Sequence, residues 1–314
     1  MGVVRFAFLL LTVVPALGAL ASEPPAGGLT ADEIVREVYE VAHGNLVRNA
    51  LSKRHGDVSA LIVNRVPLSM RDDDRKPLVQ TFDTYVNNSP GGSGVKSKQL
   101  AILTSGKARG TGVLVTTFVD ASTSSMIQMW FPALRKVRRI NEPPHDDTWF
   151  GTNLTYGELV LRRPEHEIHE LLGEGVMEGC LGSMTLTESE QTRYTQDLPA
   201  PQCAHRGRGI WRIKSTTKFE HWWYDYHISE IDRETFAVYR TVYFKGDERI
   251  KTVEVDWQSL DQPDPRITYP RYIYAVTLTD GKDSLVYVPR ETIELNTDLP
   301  DRFWSESTLK RYRP

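Results

Sequence analysis

The sequence predicts a mainly β protein, in which one N-terminal helix precedes about ten antiparallel strands that form a curved sheet or a partly open barrel. Two observations support this fold class. The hydrophobic pattern has a helical period near the N-terminus and then a period of two. Turn residues separate the alternating segments, and the stretches 245–247 and 280–282, each with a central glycine, are predicted to close hairpins.

The helix is predicted over residues 31–48. Thr30 and Glu33 have the spacing of a capping box, in which each side chain bonds the backbone amide of the other residue. Apolar Ile34, Val38 and Val41 then form one stripe at helical spacing. A helix with this pattern is expected to bury that stripe against the sheet.

The strands are predicted from alternating apolar and polar residues between turn signals. The segment 141–210 is less regular, and residues 298–309 are expected to form a short helix or turn. The predicted strands are 58–66, 78–86, 98–104, 112–119, 125–131, 211–221, 222–231, 235–244, 249–257, 268–279 and 284–295.

The N-terminus has the pattern of a cleavable signal peptide. Arg5 precedes the mostly apolar stretch 6–14, and Ala19-Leu20-Ala21 supplies a small-residue cleavage site. The apolar stretch is shorter than the roughly 20 residues that span a bilayer, so a membrane anchor is the weaker alternative. We therefore predict a signal peptide at 1–21, a linker at 22–29 and a single β domain at 30–314, exported to the periplasm without a stable membrane anchor.

Composition excludes some classes of function. The chain has 38 Lys and Arg against 41 Asp and Glu, and the two signs are scattered, so nucleic acid is not an expected partner. Its two cysteines, Cys180 and Cys203, are expected to form a disulfide in an oxidising compartment. A catalytic thiol is the alternative, but no Cys-His signature accompanies it.

No motif for catalysis, cofactors or metals stands out. His166 and His169 are three residues apart, whereas the zinc-protease helix needs a spacing of four, so we interpret them as solvated residues on a short helix. Ser93 lies in a glycine-rich loop that does not match the nucleophile elbow of serine hydrolases. The sequence contains no phosphate-binding loop and no dinucleotide fingerprint. We expect neither enzymatic activity nor a cofactor.

Two stretches carry a resemblance to a known family. Residues 129–140 (MWFPALRKVRRI) and 147–159 (DTWFGTNLTYGEL) resemble the outer-membrane lipoprotein-sorting (LolA-like) family, often found beside exporters of the resistance–nodulation–division (RND) type. Segments 30–38, 106–114 and 226–255 also match, so the resemblance covers about 30–310. The chain departs from the pattern at Asn153, where the family usually has Asp. It also departs in the cysteine-bearing segment 176–210, which looks like an elaboration.

The resemblance implies an unclosed antiparallel β-barrel (LolA/LolB-like) with a helical lid over an apolar cavity that holds acyl chains. It implies a lipid or acyl-modified protein as ligand and an inner-membrane RND-type exporter as a possible partner. Cationic Lys136, Arg138 and Arg139 are candidates for contact with a headgroup or a partner protein, or else solvated strand residues. The candidate lining residues, for which ordinary core is the alternative, are Leu114, Phe118, Met129, Phe131, Trp149, Phe150, Trp223 and Tyr243.

Three hypotheses about function follow. The first is a periplasmic carrier of lipid or lipoprotein across the envelope. The second is a non-enzymatic accessory subunit of an exporter, which would use an exposed aromatic surface formed by Trp222, Trp223, Tyr224 and Tyr226. The third is an envelope enzyme that acts on a lipid, although the sequence lacks a nucleophile and base in a recognisable pattern.

Overall fold

One antiparallel sheet organises the chain, whose computed structural model describes residues 28–71, 76–91, 94–120, 122–141 and 144–311. The predicted signal peptide at 1–21 and most of the predicted linker at 22–29 lie outside these residues.

The described residues form fifteen strands and two α-helices. The helices are α1 (Ala31–Ala42) and α2 (Glu306–Arg311). The strands are β1 (Asn49–Ser52), β2 (Ala60–Arg65), β3 (Leu78–Asn87), β4 (Val95–Leu103), β5 (Gly112–Phe118), β6 (Met126–Phe131), β7 (Lys136–Asn141), β8 (Glu167–Val176), β9 (Gly209–Thr217), β10 (Tyr226–Asp232), β11 (Val238–Lys245), β12 (Glu248–Ser259), β13 (Thr268–Thr277), β14 (Asp283–Tyr287) and β15 (Ile293–Leu295).

The strand order is β7-β6-β5-β4-β3-β2-β14-β13-β12-β11-β10-β9-β8, with β1 paired to β3 and β15. The sheet therefore consists of two meanders, β2–β7 and β8–β14, that meet where β2 pairs with β14. The terminal strands β7 and β8 do not pair with each other in the described part of the chain, so the sheet is not closed. The predicted mainly β, unclosed antiparallel architecture is confirmed.

Helix α1 begins as predicted but is shorter than predicted. The capping box is formed, with Thr30 Oγ1 accepting from the backbone N–H of Glu33. The helix ends at Ala42 and not at residue 48, because the chain turns at Gly44, whose φ of +63° suits glycine. Ile34 is fully buried and packs with Ile213 and Ile231 of the sheet.

The prediction of a short helix around His166 and His169 is wrong. His166 ends a 3₁₀ turn, and His169 lies on β8, which pairs along its length with β9. On β8, residues alternate between a sheltered face and an exposed face that bears Ile168, Glu170 and Leu172. Backbone pairing with β9 stabilises the strand conformation of β8. The local sequence predicts this strand only weakly.

Other strand boundaries also differ from the predictions. Strand β10 begins at Tyr226, four residues after the predicted start at 222, and the predicted strand 284–295 divides into β14 and β15. Strand β1 was not predicted. The hairpins at Gly246 and Gly281 are confirmed, each with its glycine at positive φ.

The two faces of the sheet bury different sets of residues. We call the face that carries Ala60, Ile62 and Trp149 the inner face, and the opposite one, with Leu61 and Val63, the outer face. Helix α1 packs on β9 and β10 at the same face as the inner cavities described below.

Two segments cover the outer face. The cysteine-bearing segment places Met177, Leu181 and Met184 against it, and the C-terminal segment places Trp304 and Leu309 beside β4 and β5.

Cys180 and Cys203 are bonded, with Cα atoms 4.2 Å apart, so the predicted disulfide is confirmed. The elaboration thus serves as a cover for one face of the sheet.

We expect the double variant Cys180→Ser/Cys203→Ser to fold but to lose stability. The bond closes a loop with a sequence separation of 23 residues, for which chain entropy gives about 3 kcal/mol. Urea denaturation of the oxidised wild type, the reduced wild type and the variant would measure this. The last two should coincide, and a variant as stable as the oxidised protein would contradict the expectation.

Candidate functional site

The main cavity lies between α1 and the inner face of strands β9–β13. Its volume is about 360 Å³. Its walls are mostly apolar, because one stripe of α1 faces the inward side chains of five strands. The apolar residues that line it include Val35, Val38, Ala42, Ile213, Ile231, Val238, Val253, Val255 and Ile273.

Two smaller cavities adjoin the main one. One, of about 220 Å³, lies between the end of α1, β1 and β15, with Val41, Leu51 and Leu295 among its walls. The other, of about 210 Å³, lies over β3–β5 and is lined by Phe82 and other inner-face residues. Pro270 on β13 lines all three cavities, so they follow one another along the inner face.

One wall of the main cavity contains a buried ion pair. Lys251 Nζ lies 2.5 Å from Glu158 Oε2, and both side chains are only 5% exposed. Burial by itself raises the pKa of Glu158, but Lys251 and Arg162 outweigh it and the pKa is lowered. Burial lowers the pKa of Lys251, and Glu158 opposes this change. The pair is further fixed because Lys251 Nζ also donates to the carbonyl of Asn153.

A second polar group beside it is centred on Glu167. Tyr224 donates to Glu167 Oε1 over 2.8 Å, and His227 Nε2 lies 3.1 Å from the same oxygen. Burial by itself raises the pKa of Glu167, but His227 and Arg162 outweigh it and hold the pKa well below the ordinary 4.5. Arg162 also donates to the Tyr243 hydroxyl over 2.8 Å.

The hydrogen bonds of this group determine the tautomer of His227. Its Nε2 lies close to both Glu167 and Arg162, but it cannot donate to one and accept from the other. Burial lowers the pKa of His227, so the ring is neutral near neutral pH. With Glu167 ionised, Nε2–H donates to it, and Nδ1 accepts from Ser229 Oγ at 3.2 Å. The two acids, Glu158 and Glu167, thus balance the two cations, Lys251 and Arg162.

The structure disperses the eight predicted lining residues. Tyr243 lines the main cavity, Trp149 the cavity over β3–β5, and Phe118 a polar compartment described below. Leu114 packs on the outer face with Trp304, because Val113 and Val115 take the inner positions of β5. The remaining four lie in the inner-face core or at its edge: Met129 and Phe150 pack against the core, Phe131 is half-buried at the end of β6, and Trp223 packs on Tyr243.

The predicted cationic contact residues lie together on β7. Lys136, Arg138 and Arg139 are all exposed at this edge of the sheet, and Arg139 pairs with Glu306 of α2 over 3.0 Å. They line none of the cavities described here.

The aromatic residues 222–226 are largely packed. Tyr224 is buried, and Trp222 and Trp223 are half-buried. Tyr226 stacks on Phe244 with ring centroids 4.7 Å apart. His145 and His166 join Phe219 and Trp222 in one cluster of ring contacts.

Sequence reasoning missed the α1 residues, Lys251 and Arg162 as parts of the site. A signal for Lys251 was present, since it alternates with Val253 and Val255 along β12 and therefore shares their face. Arg162 follows a π-helical turn, Gly157–Leu161, for which the sequence offers no comparable pattern.

None of the helices in the described part of the chain has the length and apolar character needed to cross a membrane. No curated protein matches the sequence. A family model that describes its members only as uncharacterized proteins matches residues 95–311, well over half of the chain.

Three solved structures share the fold. A domain described as outer membrane lipoprotein-sorting, from Vibrio parahaemolyticus, aligns with a TM-score of 0.62 at 13% identity, covering 90% of this chain and 98% of that one. A DUF1329 family protein from Desulfovibrio piger aligns at 0.63 and 14%, covering 89% and 99%. A LolA superfamily protein from Nitrosomonas europaea aligns at 0.53 and 12%, covering 90% and 100%. The chain therefore belongs to the family whose model matches 95–311, and its fold is that of the LolA-like, outer membrane lipoprotein-sorting proteins.

Proposed function

We propose that this protein binds the acyl chain of a lipid or an acyl-modified protein between α1 and the inner face of the sheet. The observation that carries the proposal is the chain of three adjoining cavities around Pro270, which have mostly apolar walls. Apolar surface withdrawn from water contributes about 25 cal/mol per Å² before association costs, so a long apolar chain is the ligand that such walls favour.

The buried charged groups fit this ligand because their charges are paired within the wall. Glu158 pairs with Lys251, and Glu167 is held by Tyr224, His227 and Arg162. A balanced network makes no demand for a counter-charge on the ligand. The same network holds the segment that contains Glu158 and Arg162 against strands β10–β12. It therefore maintains the width of the cavity.

We propose a periplasmic carrier, exported by the signal peptide predicted at 1–21, without enzymatic activity, that transfers its ligand across the envelope. The resemblance of residues 129–159 to the lipoprotein-sorting family supports this. An RND-type exporter is the proposed partner, and crosslinking in intact envelopes followed by mass spectrometry would test it.

Protein purified from a membrane-containing bacterial host should carry lipid. Organic extraction and mass spectrometry would identify it, and a sample refolded from urea and washed with detergent serves as the empty control. If neither sample contains lipid, and the empty protein also fails to bind a fluorescent fatty-acyl probe, the carrier proposal is wrong.

Val253→Asp should weaken probe binding at least about tenfold, because it places a carboxylate in the apolar wall. The matched control is Val176→Asp, since Val176 lies on a strand but is 50% exposed outside the cavity. Its affinity should be unchanged. Ala42→Phe, which fills the cavity from α1, provides a second test if the first variant folds poorly. Wild-type affinity in both folded cavity variants would exclude this cavity as the site.

The free energy of unfolding should decrease as the pH falls from about 7 to about 5. Burial holds the pKa of His227 below its ordinary 6.5, so the unfolded chain takes up a proton before the folded one does. The stabilisation from Glu167, whose pKa is also lowered, persists above its ordinary 4.5 and is lost as the pH falls below that value.

His227→Gln should therefore flatten the pH dependence between about 7 and 5, measured by urea denaturation. Part of the slope should remain, because burial also lowers the pKa of His43. His55→Gln, at an exposed position, should keep the full slope. A slope that is the same in all three proteins would contradict the assignment.

A further inference from the structure

A polar compartment opens beside the main cavity. Its volume is about 250 Å³, and it lies between α1, the start of β4, the end of β5 and the turn before β8. Tyr39, Arg163 and Pro164 line both this compartment and the main cavity. The two spaces therefore share a wall, with the apolar one deeper between helix and sheet.

The compartment contains three cations and two acids. Lys96 Nζ pairs with Glu40 at 3.3 Å, and it also lies 4.7 Å from the centre of the Tyr39 ring. The guanidinium groups of Arg36 and Arg163 form no ion pair or side-chain hydrogen bond with the residues that the structure describes. The second acid, Glu165, is exposed. The lining side chains thus carry a net charge of one positive unit, and two guanidinium groups keep unused donors. Glu33 and Asp120, which lie outside the lining, interact electrostatically with Arg36 and Arg163 without an ion pair.

We propose that this compartment binds an anionic headgroup, a phosphate or a carboxylate, while the attached acyl chain occupies the main cavity. The inference rests on the proposed function and deepens it, since it specifies the class of lipid. Arginine suits this role because its planar group donates two parallel hydrogen bonds to either anion. Arg163 lines both spaces, so it stands where the chain of such a lipid joins the headgroup.

The buried charges of the main cavity do not compete for the anion. Lys251 is already balanced by Glu158 at 2.5 Å, and Arg162 by Glu167 at 3.9 Å. An anion placed there would approach those acids in a poorly solvated wall, which is costly. The compartment is more exposed to water, so its preference for anions should decline with added salt.

The test measures displacement of a fluorescent fatty-acyl probe by two ligands with the same chain, dodecyl phosphate and dodecanol. We expect the wild type to bind dodecyl phosphate about tenfold more tightly, which corresponds to about 1.4 kcal/mol. Arg36→Gln/Arg163→Gln should remove this preference, so that the ratio of the two affinities falls to about one. Lys136→Gln/Arg138→Gln removes the same charge from the exposed edge strand β7 and should retain the preference.

The outcomes separate the two proposals. If neither dodecyl ligand displaces the probe, or the probe does not bind, the carrier proposal is wrong. If both bind equally to the wild type, or the Arg36/Arg163 variant keeps the preference, the headgroup proposal alone is wrong. Loss of the preference in the Lys136/Arg138 variant would move the headgroup to β7. Inorganic phosphate that blocks dodecyl phosphate at low micromolar concentration would show a free-anion site and overturn the lipid assignment.

Discussion

The pairing of β2 with β14 is the contact on which the rest of the structure depends. It joins residues more than 200 positions apart, such as Asn64 and Ser284, and it is the only direct strand pairing between the two meanders among the described residues apart from the short β1–β15 ladder. Arg65 reinforces it with two hydrogen bonds to Asp283, of 3.0 and 2.6 Å, and Arg71 adds a third of 2.9 Å. Asp283 is almost fully buried, so removal of Arg65, which makes two of these three bonds, would leave a poorly compensated charge at the junction. This junction joins the inner faces of both meanders into one surface, along which the three adjoining cavities lie.

Features that depend on neighbouring residues could be predicted from the sequence, whereas features that depend on long-range pairing could not. The cap at Thr30 and the glycine turns at Gly246 and Gly281 were correctly placed, since each depends on a few neighbouring residues. Alternation showed that β5 has two faces but not which one is inner, and so Leu114 was chosen where Val113 and Val115 line the core. The cavity could not be located in this way, because its walls come from α1 and strands that only long-range pairing brings together.

The segment 147–159, which carries the family resemblance, forms a turn that is anchored to the β13–β14 hairpin. Thr152 Oγ1 donates to the carbonyl of Trp149 over 2.6 Å and closes the turn. The Asn153 side-chain N–H groups lie 3.1 to 3.2 Å from three acceptors on or beside the β13–β14 hairpin, among them the carbonyl of Ala275. A carboxylate at this position has no proton to donate to these oxygens. Asn153 therefore anchors the turn beside the wall of the cavity through donors that an ionised Asp lacks.

The exposed face of β8 has a consequence for behaviour at high concentration. Among the described residues, this strand ends the sheet with an unpaired edge, and it presents Ile168, Leu172 and Val176 to solvent. An unpaired edge with exposed apolar residues favours sheet formation between molecules. Glu170 and Glu174 alternate with these apolar residues, so two copies aligned edge to edge in antiparallel register would bring like charges together. The irregular register between Leu171 and Gly173 bends the edge further out of line. The glutamates and this bulge thus disfavour pairing between the β8 strands of two copies. Without them, the exposed apolar residues of β8 would favour that association.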